Sequence, residues 1–446
     1  AGECLPGVIH VSARTLAAQS LSIFGDHQDV MACRQTGFAM LCSGSVQEVM
    51  DLGGVAHLSA IESSIPFLHF FDGFRTSHEV NTIEPIDYEV FDKLLDREAV
   101  ARFRENALNP AHPKTRGTAQ NDDVYFQTRE LQNFKYEGLY DVVEKYMKAI
   151  SKATGRKYQP YTYYGAKDAK YVIVAMGSVT ECAEEVVDFL TARGEKVGIL
   201  KVHLYRPFVV DKFLKAMPKT AKKIAVLDRT IEQGALYEPL CLDVKAAYFG
   251  AKDAPVIVGG RYGLSSKDTT PDMVNAVFSN LKKSKPKDHF TLGIYDDIKY
   301  TSLDVTEKID VADATTTELL FFGLGSDGTV GACKNISKIV GDYTSFYSQS
   351  YAAYDSKKSG GSTRLHLRFS KNPIRSTYLV NKPHFVSCSL DAYLDKFDMI
   401  SGLRDGGTFL LNTVVDAKNI EKRLPNRYKR LLAEKHAKFY IIAANA

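Results

Sequence analysis

The 446 residues predict an α/β protein of three successive domains, each built on a mainly parallel, doubly wound sheet. Three observations carry that expectation. At about 150 residues per domain, the length suggests roughly three domains. Short apolar runs of strand length alternate with helix-length segments, the pattern of βαβ units and a parallel sheet. Hydrophobic residues make up 45% and charged residues 25%, the balance of an ordinary globular chain. That balance excludes a disordered chain, a collagen-like repeat and a small disulfide-stapled scaffold.

The first segment runs to about residue 159. Pro6-Gly7 is a turn, and Val8–Val11 reads as a short buried strand. Phe38–Leu41 is a second strand. Ser45 and Glu48 form an S-x-x-E capping box that opens a helix ending near Ile61. Pro66–Phe71 is a third strand, closed by Asp72-Gly73. Asn109–Asn133 is rich in Pro, Asn and Gly and reads as a long loop. A helix over Leu139–Thr154 ends the segment.

The second segment, 160–314, is the most regular. Tyr171–Ala175 is continuously apolar, as suits a strand covered on both faces. Ser178 and Glu181 read as another capping box, and Gly194 suits the end of that helix. Lys196–Val202 and Lys223–Leu227 are strands, and Val210–Met217 and Tyr237–Phe249 are helices. Val256–Val258 precedes Gly259-Gly260. These four strands make a small doubly wound sheet. Asp296–Ala314 is a polar linker without a firm period.

The third segment, 315–446, opens with the strand Leu319–Phe322. Arg364–Phe369 alternates strictly and reads as half-buried, Phe409–Leu411 is a further strand, and Glu421–Lys438 reads as one basic helix.

Lys and Arg number 57 against 53 Asp and Glu, a net charge of +4, too slight to argue for nucleic acid. No uninterrupted apolar run approaches the roughly 20 residues of a membrane span. The seven cysteines are scattered with no CxxC pair, which reads as reduced thiols and against a zinc or iron–sulfur site built from this chain alone. A reducing compartment follows: the cytoplasm, or alternatively a hydrogenosome or mitochondrion. The chain opens on Ala1 without a starting Met and reads as a piece of something longer.

The sharpest local motif is Gly323–Gly328 (Gly-Leu-Gly-Ser-Asp-Gly), followed by Thr329 and Gly331. It leaves a strand and opens a helix, the setting in which backbone N–H groups hold a phosphate. No acid closes the next strand, Tyr343–Ser348, so a dinucleotide is disfavoured against another phosphate or a bare tight turn. Lys357 and Lys358, among small residues, suit a polyanion or a solvated turn, and in a parallel sheet their loop would share a crevice with the glycine turn. Arg14 ends the first strand. A guanidinium there can anchor a small carboxylate through its fork, or make a structural salt bridge. His27 within Gly25–Asp29, and His69, His78 and Glu79 around Asp72–Arg75, are either site residues or loop closures.

The run Gly25–Asp29 followed by Arg34–Met40 and Phe70–Glu79 resembles the pyruvate:ferredoxin oxidoreductase family. The likeness continues through Arg116–Asn121, Leu204–Phe208, Val226–Thr230, Gly260–Gly263, Gly323–Gly331 and Tyr354–Gly361. These unusual strings stand in the family's order over nearly the whole chain.

The resemblance implies an oxidative decarboxylation of pyruvate with coenzyme A to acetyl-CoA and CO2, reducing ferredoxin or flavodoxin. It implies a homodimer using thiamine diphosphate with Mg and [4Fe-4S] clusters. Residues 1–159 would be the later part of the thiamine pyrimidine-binding domain. Residues 160–314 would be the transketolase C-terminal-like domain with its linker, and 315–446 an incomplete coenzyme A-associated domain. Arg14 matches the arginine that grips the pyruvate carboxylate, and Leu21 lies in the apolar wall around the substrate. Gly325, Ser326, Asp327, Gly328, Thr329, Lys357 and Lys358 fall in the coenzyme A domain, where their part in phosphate binding rests on their chemistry. The thiamine-activating glutamate is expected before Ala1, and the cluster cysteines and the thiamine diphosphate motif after Ala446. The chain alone is therefore not expected to be active. A pyruvate:NADP fusion enzyme, a relative acting on a longer 2-oxo acid, and a non-catalytic scaffold remnant are the alternatives.

Overall fold

The computed structural model describes residues 1–115, 117–353 and 361–444. Up to residue 154 the elements are β1 (Val8–Ala13), α1 (Gln28–Ala32), β2 (Ala39–Ser43), α2 (Val46–Ser63), β3 (Phe67–Asp72), β4 (Glu79–Asn81), α3 (Tyr88–Leu94), α4 (Arg97–Glu105), α5 (Asp122–Glu137) and α6 (Leu139–Thr154). Next come β5 (Tyr161–Gly165), β6 (Tyr171–Ala175), α7 (Val179–Ala192), β7 (Val197–Val202), β8 (Leu204–Arg206), α8 (Val210–Ala216), β9 (Lys223–Asp228), α9 (Pro239–Ala247), β10 (Val256–Arg261), α10 (Pro271–Lys282) and β11 (Phe290–Thr291). The rest is β12 (Thr317–Leu324), α11 (Thr329–Tyr343), β13 (Tyr347–Ala353), β14 (Ser362–Ser370), β15 (Phe385–Cys388), β16 (Thr408–Asn412), α12 (Ile420–Arg423), α13 (Asn426–Glu434) and β17 (Lys438–Ile442). The chain divides into two compact units, Ala1–Ser77 with Glu84–Val311, and His78–Ile83 with Ala312–Ala446.

The first unit holds two sheets. One has the order β1-β3-β2-β8, with β1, β3 and β2 parallel and β8 antiparallel at its edge. The other has the order β11-β10-β9-β6-β7-β5. It is parallel except for β5, which runs antiparallel to β7. The expected four-stranded core is there, widened by β5 and β11. One chain run stitches the sheets, because β7 passes through His203 into β8, and the His203 carbonyl accepts the Cys42 N–H at 2.7 Å.

Local chemistry explains the helices. The Ser45 hydroxyl accepts the Glu48 N–H at 3.2 Å, as a capping residue should. The Glu48 carboxylate takes the Gly44 N–H at 2.6 Å, one residue before the partner a capping box would give it. Helix α6 buries Leu139, Val143, Tyr146, Met147 and Ile150, a stripe at 3.6-residue spacing, and stops at Gly155 with φ 76°. The Ser178–Glu181 capping box does not form. Ser178 is already helical and its hydroxyl goes to the Asp72 carboxylate, a stronger acceptor. The loop expected over Asn109–Asn133 is also corrected, since α5 occupies its second half. No residue of α5 is buried, and its large apolar residues Val124, Tyr125, Phe126, Leu131 and Phe134 stay exposed, while Asp122 and Asp123 in its first turn favour the helix dipole.

The second unit is one seven-stranded sheet of order β17-β16-β15-β12-β14-β13-β4. It is parallel from β17 to β12 and antiparallel from β12 through β14 and β13 to β4. The sheets are mainly parallel across the molecule as expected, and this one is the most mixed because β14 runs antiparallel beside both β12 and β13. Strand β14 is not half-buried, since Leu365, His366, Leu367 and Arg368 are all buried. The basic helix expected over Glu421–Lys438 is broken. Pro425 pushes Leu424 to ψ 124°, which ends α12 before α13 starts, and Lys438 already belongs to β17.

Candidate functional site

Arg14 stands one residue past the end of β1, at the carboxyl edge where open parallel sheets take ligands. Its Nη1 donates to the Ile23 carbonyl at 2.9 Å, and its guanidinium lies 4.7 Å from the centre of the Phe74 ring. It is exposed, and among the described residues no carboxylate comes within ion-pair distance of it. The structure thus offers no support for Arg14 as a salt-bridge residue. Leu21 lies on the same β1–α1 loop and is 76% exposed, two residues from the carbonyl that Arg14 grips.

Backbone crowding fixes this corner. The Gly73 N–H donates to the Ala13 carbonyl at 3.1 Å. A Cβ on Gly73 would come 2.1 Å from that oxygen, and one on Gly25 would come 2.3 Å from the Gly73 oxygen. Phe74 follows with a left-handed φ of 59°, held by its N–H to the Ser77 hydroxyl at 2.9 Å, and its ring packs edge-on against Phe24.

Beneath the corner lies a buried charged node. Asp72, the last residue of β3, bonds His27 Nε2 at 2.5 Å and accepts the Ser178 N–H at 3.0 Å, the Ser178 hydroxyl at 2.5 Å and the Arg229 guanidinium. Burial would raise its pKa, but Arg229 and His27 hold the carboxyl well below the usual range. Asp26 accepts the Gln28 and Ser265 N–H groups, so Gly25–Asp29 closes a loop. Sequence reasoning left His27 undecided and missed Phe74, Ser178 and Arg229. The available signal was the one that found Arg14, a polar residue at the carboxyl end of a parallel strand, a position that Asp72, last in β3, and Arg229, one past β9, share.

His69 belongs to another arrangement. Its Nδ1 lies 2.8 Å from His10 Nδ1 and its Nε2 2.8 Å from the Ser43 hydroxyl, while His10 Nε2 lies 3.1 Å from His57 Nε2. Burial, then the neighbouring imidazoles, push His69 down to about 3. Among the described residues no group of three His, Cys, Asp or Glu is placed to hold a metal ion. No described helix is long and apolar enough to cross a membrane. His78 and Glu79 fall in the second unit, at β4.

In the second unit the glycine turn links β12 to α11 as expected, with Gly328 at φ 87°. Gly325, Ser326, Asp327 and Gly328 are exposed and Thr329 is half-buried. The Asp327 carboxylate turns back on the turn itself, accepting the Leu324 N–H at 2.8 Å, the Thr329 N–H at 2.9 Å and the Ser389 hydroxyl at 2.6 Å. The N–H groups of Gly328 and Val330 have no acceptor among the described residues. Lys357 and Lys358 lie outside the described residues. Gly361, which is described, lies beside the turn, where its carbonyl accepts the Gly325 N–H at 3.1 Å.

Residues 1–148 match a family model for the thiamine diphosphate-binding part of pyruvate flavodoxin/ferredoxin oxidoreductase. Residues 169–274 match pyruvate:ferredoxin oxidoreductase core domain II, and residues 318–446 match pyruvate ferredoxin/flavodoxin oxidoreductase. The chain is 57% identical over 445 residues to the pyruvate-flavodoxin oxidoreductase of Enterobacter agglomerans. It is 53% identical over 444 residues to the pyruvate:ferredoxin oxidoreductase of Moorella thermoacetica. Both alignments cover 100% of this chain and 38% of the relative. With three matching models in one order and about half its residues shared along its whole length, the chain belongs to the pyruvate:ferredoxin/flavodoxin oxidoreductase family and spans 38% of the length of these members.

Proposed function

We propose that this chain is the substrate-gripping part of an enzyme that oxidatively decarboxylates pyruvate with coenzyme A, yielding acetyl-CoA and CO2 and reducing ferredoxin or flavodoxin. The observation that carries the reading is the Arg14 guanidinium, without a carboxylate among the described residues, at the carboxyl end of a parallel sheet. A small carboxylate is the natural partner of that fork, because a bidentate charge-assisted pair is both strong and directional. The guanidinium lies over the Phe74 ring, and Leu21 offers apolar surface for a methyl group. The sharing of about half its residues with pyruvate oxidoreductases supports pyruvate as the carboxylate.

Thiamine diphosphate, when bound, supplies the electron sink for breaking the bond to the carboxylate. This chain's part is to hold and orient the acid. Mg and the [4Fe-4S] clusters are assigned ligands outside this chain, whose seven cysteines stand scattered with no CxxC pair. Coenzyme A phosphate is assigned to Gly325, Ser326, Gly328 and Thr329 with Lys357 and Lys358. The free N–H groups at the mouth of α11 fit an anion, whereas the Asp327 carboxylate shapes the turn and leaves net attraction to the lysines. A homodimer in the cytoplasm, and the domain boundaries at 159/160 and 314/315, complete the proposal.

The test is an assay of the full-length polypeptide that contains this chain, purified anaerobically. Pyruvate- and coenzyme A-dependent reduction of flavodoxin or ferredoxin is expected. Reduction of NADP instead would indicate the fusion enzyme, and no turnover of any 2-oxo acid would leave the scaffold remnant.

A further inference from the structure

The Arg14 anchor is braced from beneath by Asp72 of its own sheet, and two of the three residues that bind Asp72 follow strands of the other sheet. Asp72 is the end of β3, and two residues later comes Phe74, the ring against which the Arg14 guanidinium rests. Between them Gly73 touches Ala13 so closely that no Cβ fits, and a Cβ there would also come 3.1 Å from Arg14 Cδ. Any shift of residue 72 therefore moves both the backbone and the ring that set Arg14's direction.

The donors that fix Asp72 come from three places. His27 is in the β1–α1 loop, Ser178 opens α7, and Arg229 stands one residue past β9. The Arg229 Nε donates to the Gly263 carbonyl at 3.0 Å, and its own carbonyl accepts the His27 N–H at 2.8 Å. The Ser266 N–H donates to the Gly25 carbonyl at 2.8 Å. The carboxyl ends of β6, β9 and β10 thus clamp the two segments that carry the anchor. A fold held only by packing would not need a fully buried carboxylate at this point, since a lone buried charge is costly unless paired.

We infer that Asp72, clamped by His27, Ser178 and Arg229, is a positioning residue for Arg14, setting the direction of the guanidinium through Gly73 and Phe74. This inference rests on the reading of Arg14 as the anchor for pyruvate.

The experiment is a double-substitution cycle in the full-length holoenzyme. Ser178→Ala removes one donor to Asp72 and keeps the backbone N–H. It should raise the pyruvate KM about 3- to 10-fold, as the loss of one charged hydrogen bond acting indirectly would. The coenzyme A KM should not change. In an Arg14→Ala background the same substitution should add less than about twofold, because the route to pyruvate is already cut. Full multiplicative effects in the double variant would overturn the inference, as would equal damage to both substrates' KM. Unchanged pyruvate KM in a folded Ser178→Ala enzyme would also overturn it. Should that variant fail to assemble, Asp72→Asn carries the same readouts. If Arg14→Ala alone leaves pyruvate KM at the wild-type value, the anchor reading itself fails, an outcome distinct from the others.

Discussion

The Arg14 guanidinium lies 4.7 Å from the centre of the Phe74 ring, and Phe74 holds that ring with a left-handed backbone. The pair is a cation over an aromatic face, worth about 0.5–2 kcal/mol according to how far it is desolvated. Replacing Phe74 by Leu keeps the bulk and removes the π face. The pyruvate KM of the full-length enzyme is expected to rise about 3- to 10-fold with kcat less affected, the mark of a ground-state contact. Steady-state kinetics with varied pyruvate measures it, and an unchanged KM would separate the ring from the anchor.

Gly73→Ala places a methyl group 2.1 Å from the Ala13 carbonyl oxygen, a backbone atom that cannot rotate away. Overpacking of this kind destabilises by about 1–3 kcal/mol. The urea midpoint should fall and the pyruvate KM should rise together, because the displaced backbone carries Arg14. A stable variant with native kinetics would show that the corner yields freely.

The His10–His69–His57 cluster makes the first unit sensitive to acid. His69 is held neutral in the fold, down to about 3, against an unfolded value near 6.5. Below about pH 6.5 the unfolded chain binds a proton that the folded one refuses, so stability falls as pH falls towards the folded value. The slope from His69 alone is at most about 1.4 kcal/mol per pH unit. Ser43, His10, His57 and, by charge, Glu48 face it. His69→Gln should flatten the loss of urea midpoint between about pH 6.5 and pH 5. An equal loss in wild type and variant would assign the acid limb to other groups.

In the second unit Arg368 is fully buried and bonds Glu318 at 2.9 Å, Gln349 at 3.0 Å and the Tyr378 carbonyl at 2.8 Å. Arg404 also reaches Glu318, at 3.2 Å, from a more exposed position. Arg368→Met leaves a buried carboxylate with one outer partner and should cost about 3–5 kcal/mol. The readout is the unfolding midpoint by urea, and a shift under about 1 kcal/mol would contradict the ion pair's structural role.

Replacing Lys357 and Lys358 together by Ala should raise the coenzyme A KM while sparing pyruvate-dependent CO2 release in the absence of coenzyme A. Loss of both half-reactions alike would mean that the pair supports folding.

Much of this was legible in the sequence because periodicity and strand punctuation are local. Helix α6 and strand β6 stand where their patterns put them, since each buries a continuous stripe or run. Helix α5 was hidden behind the Pro-, Asn- and Gly-rich residues that precede it, although Val124, Phe126, Leu131 and Phe134 stand within it. The mixed sheet of the second unit was hidden because a strand's pattern does not say which way its neighbour runs. Arg14 was legible from its place after a strand. The Asp72–Arg229 pair was not, because 157 residues separate its members and only the fold joins them.

The most direct measurement is kcat/KM for pyruvate in full-length Arg14→Ala, with and without added guanidinium ion. A fall of about 100-fold or more, partly and saturably restored by free guanidinium, is the expected result for a lost charge-assisted fork. Native kcat/KM in the variant, or a loss that guanidinium leaves untouched while Arg14→Lys is fully active, would contradict the account.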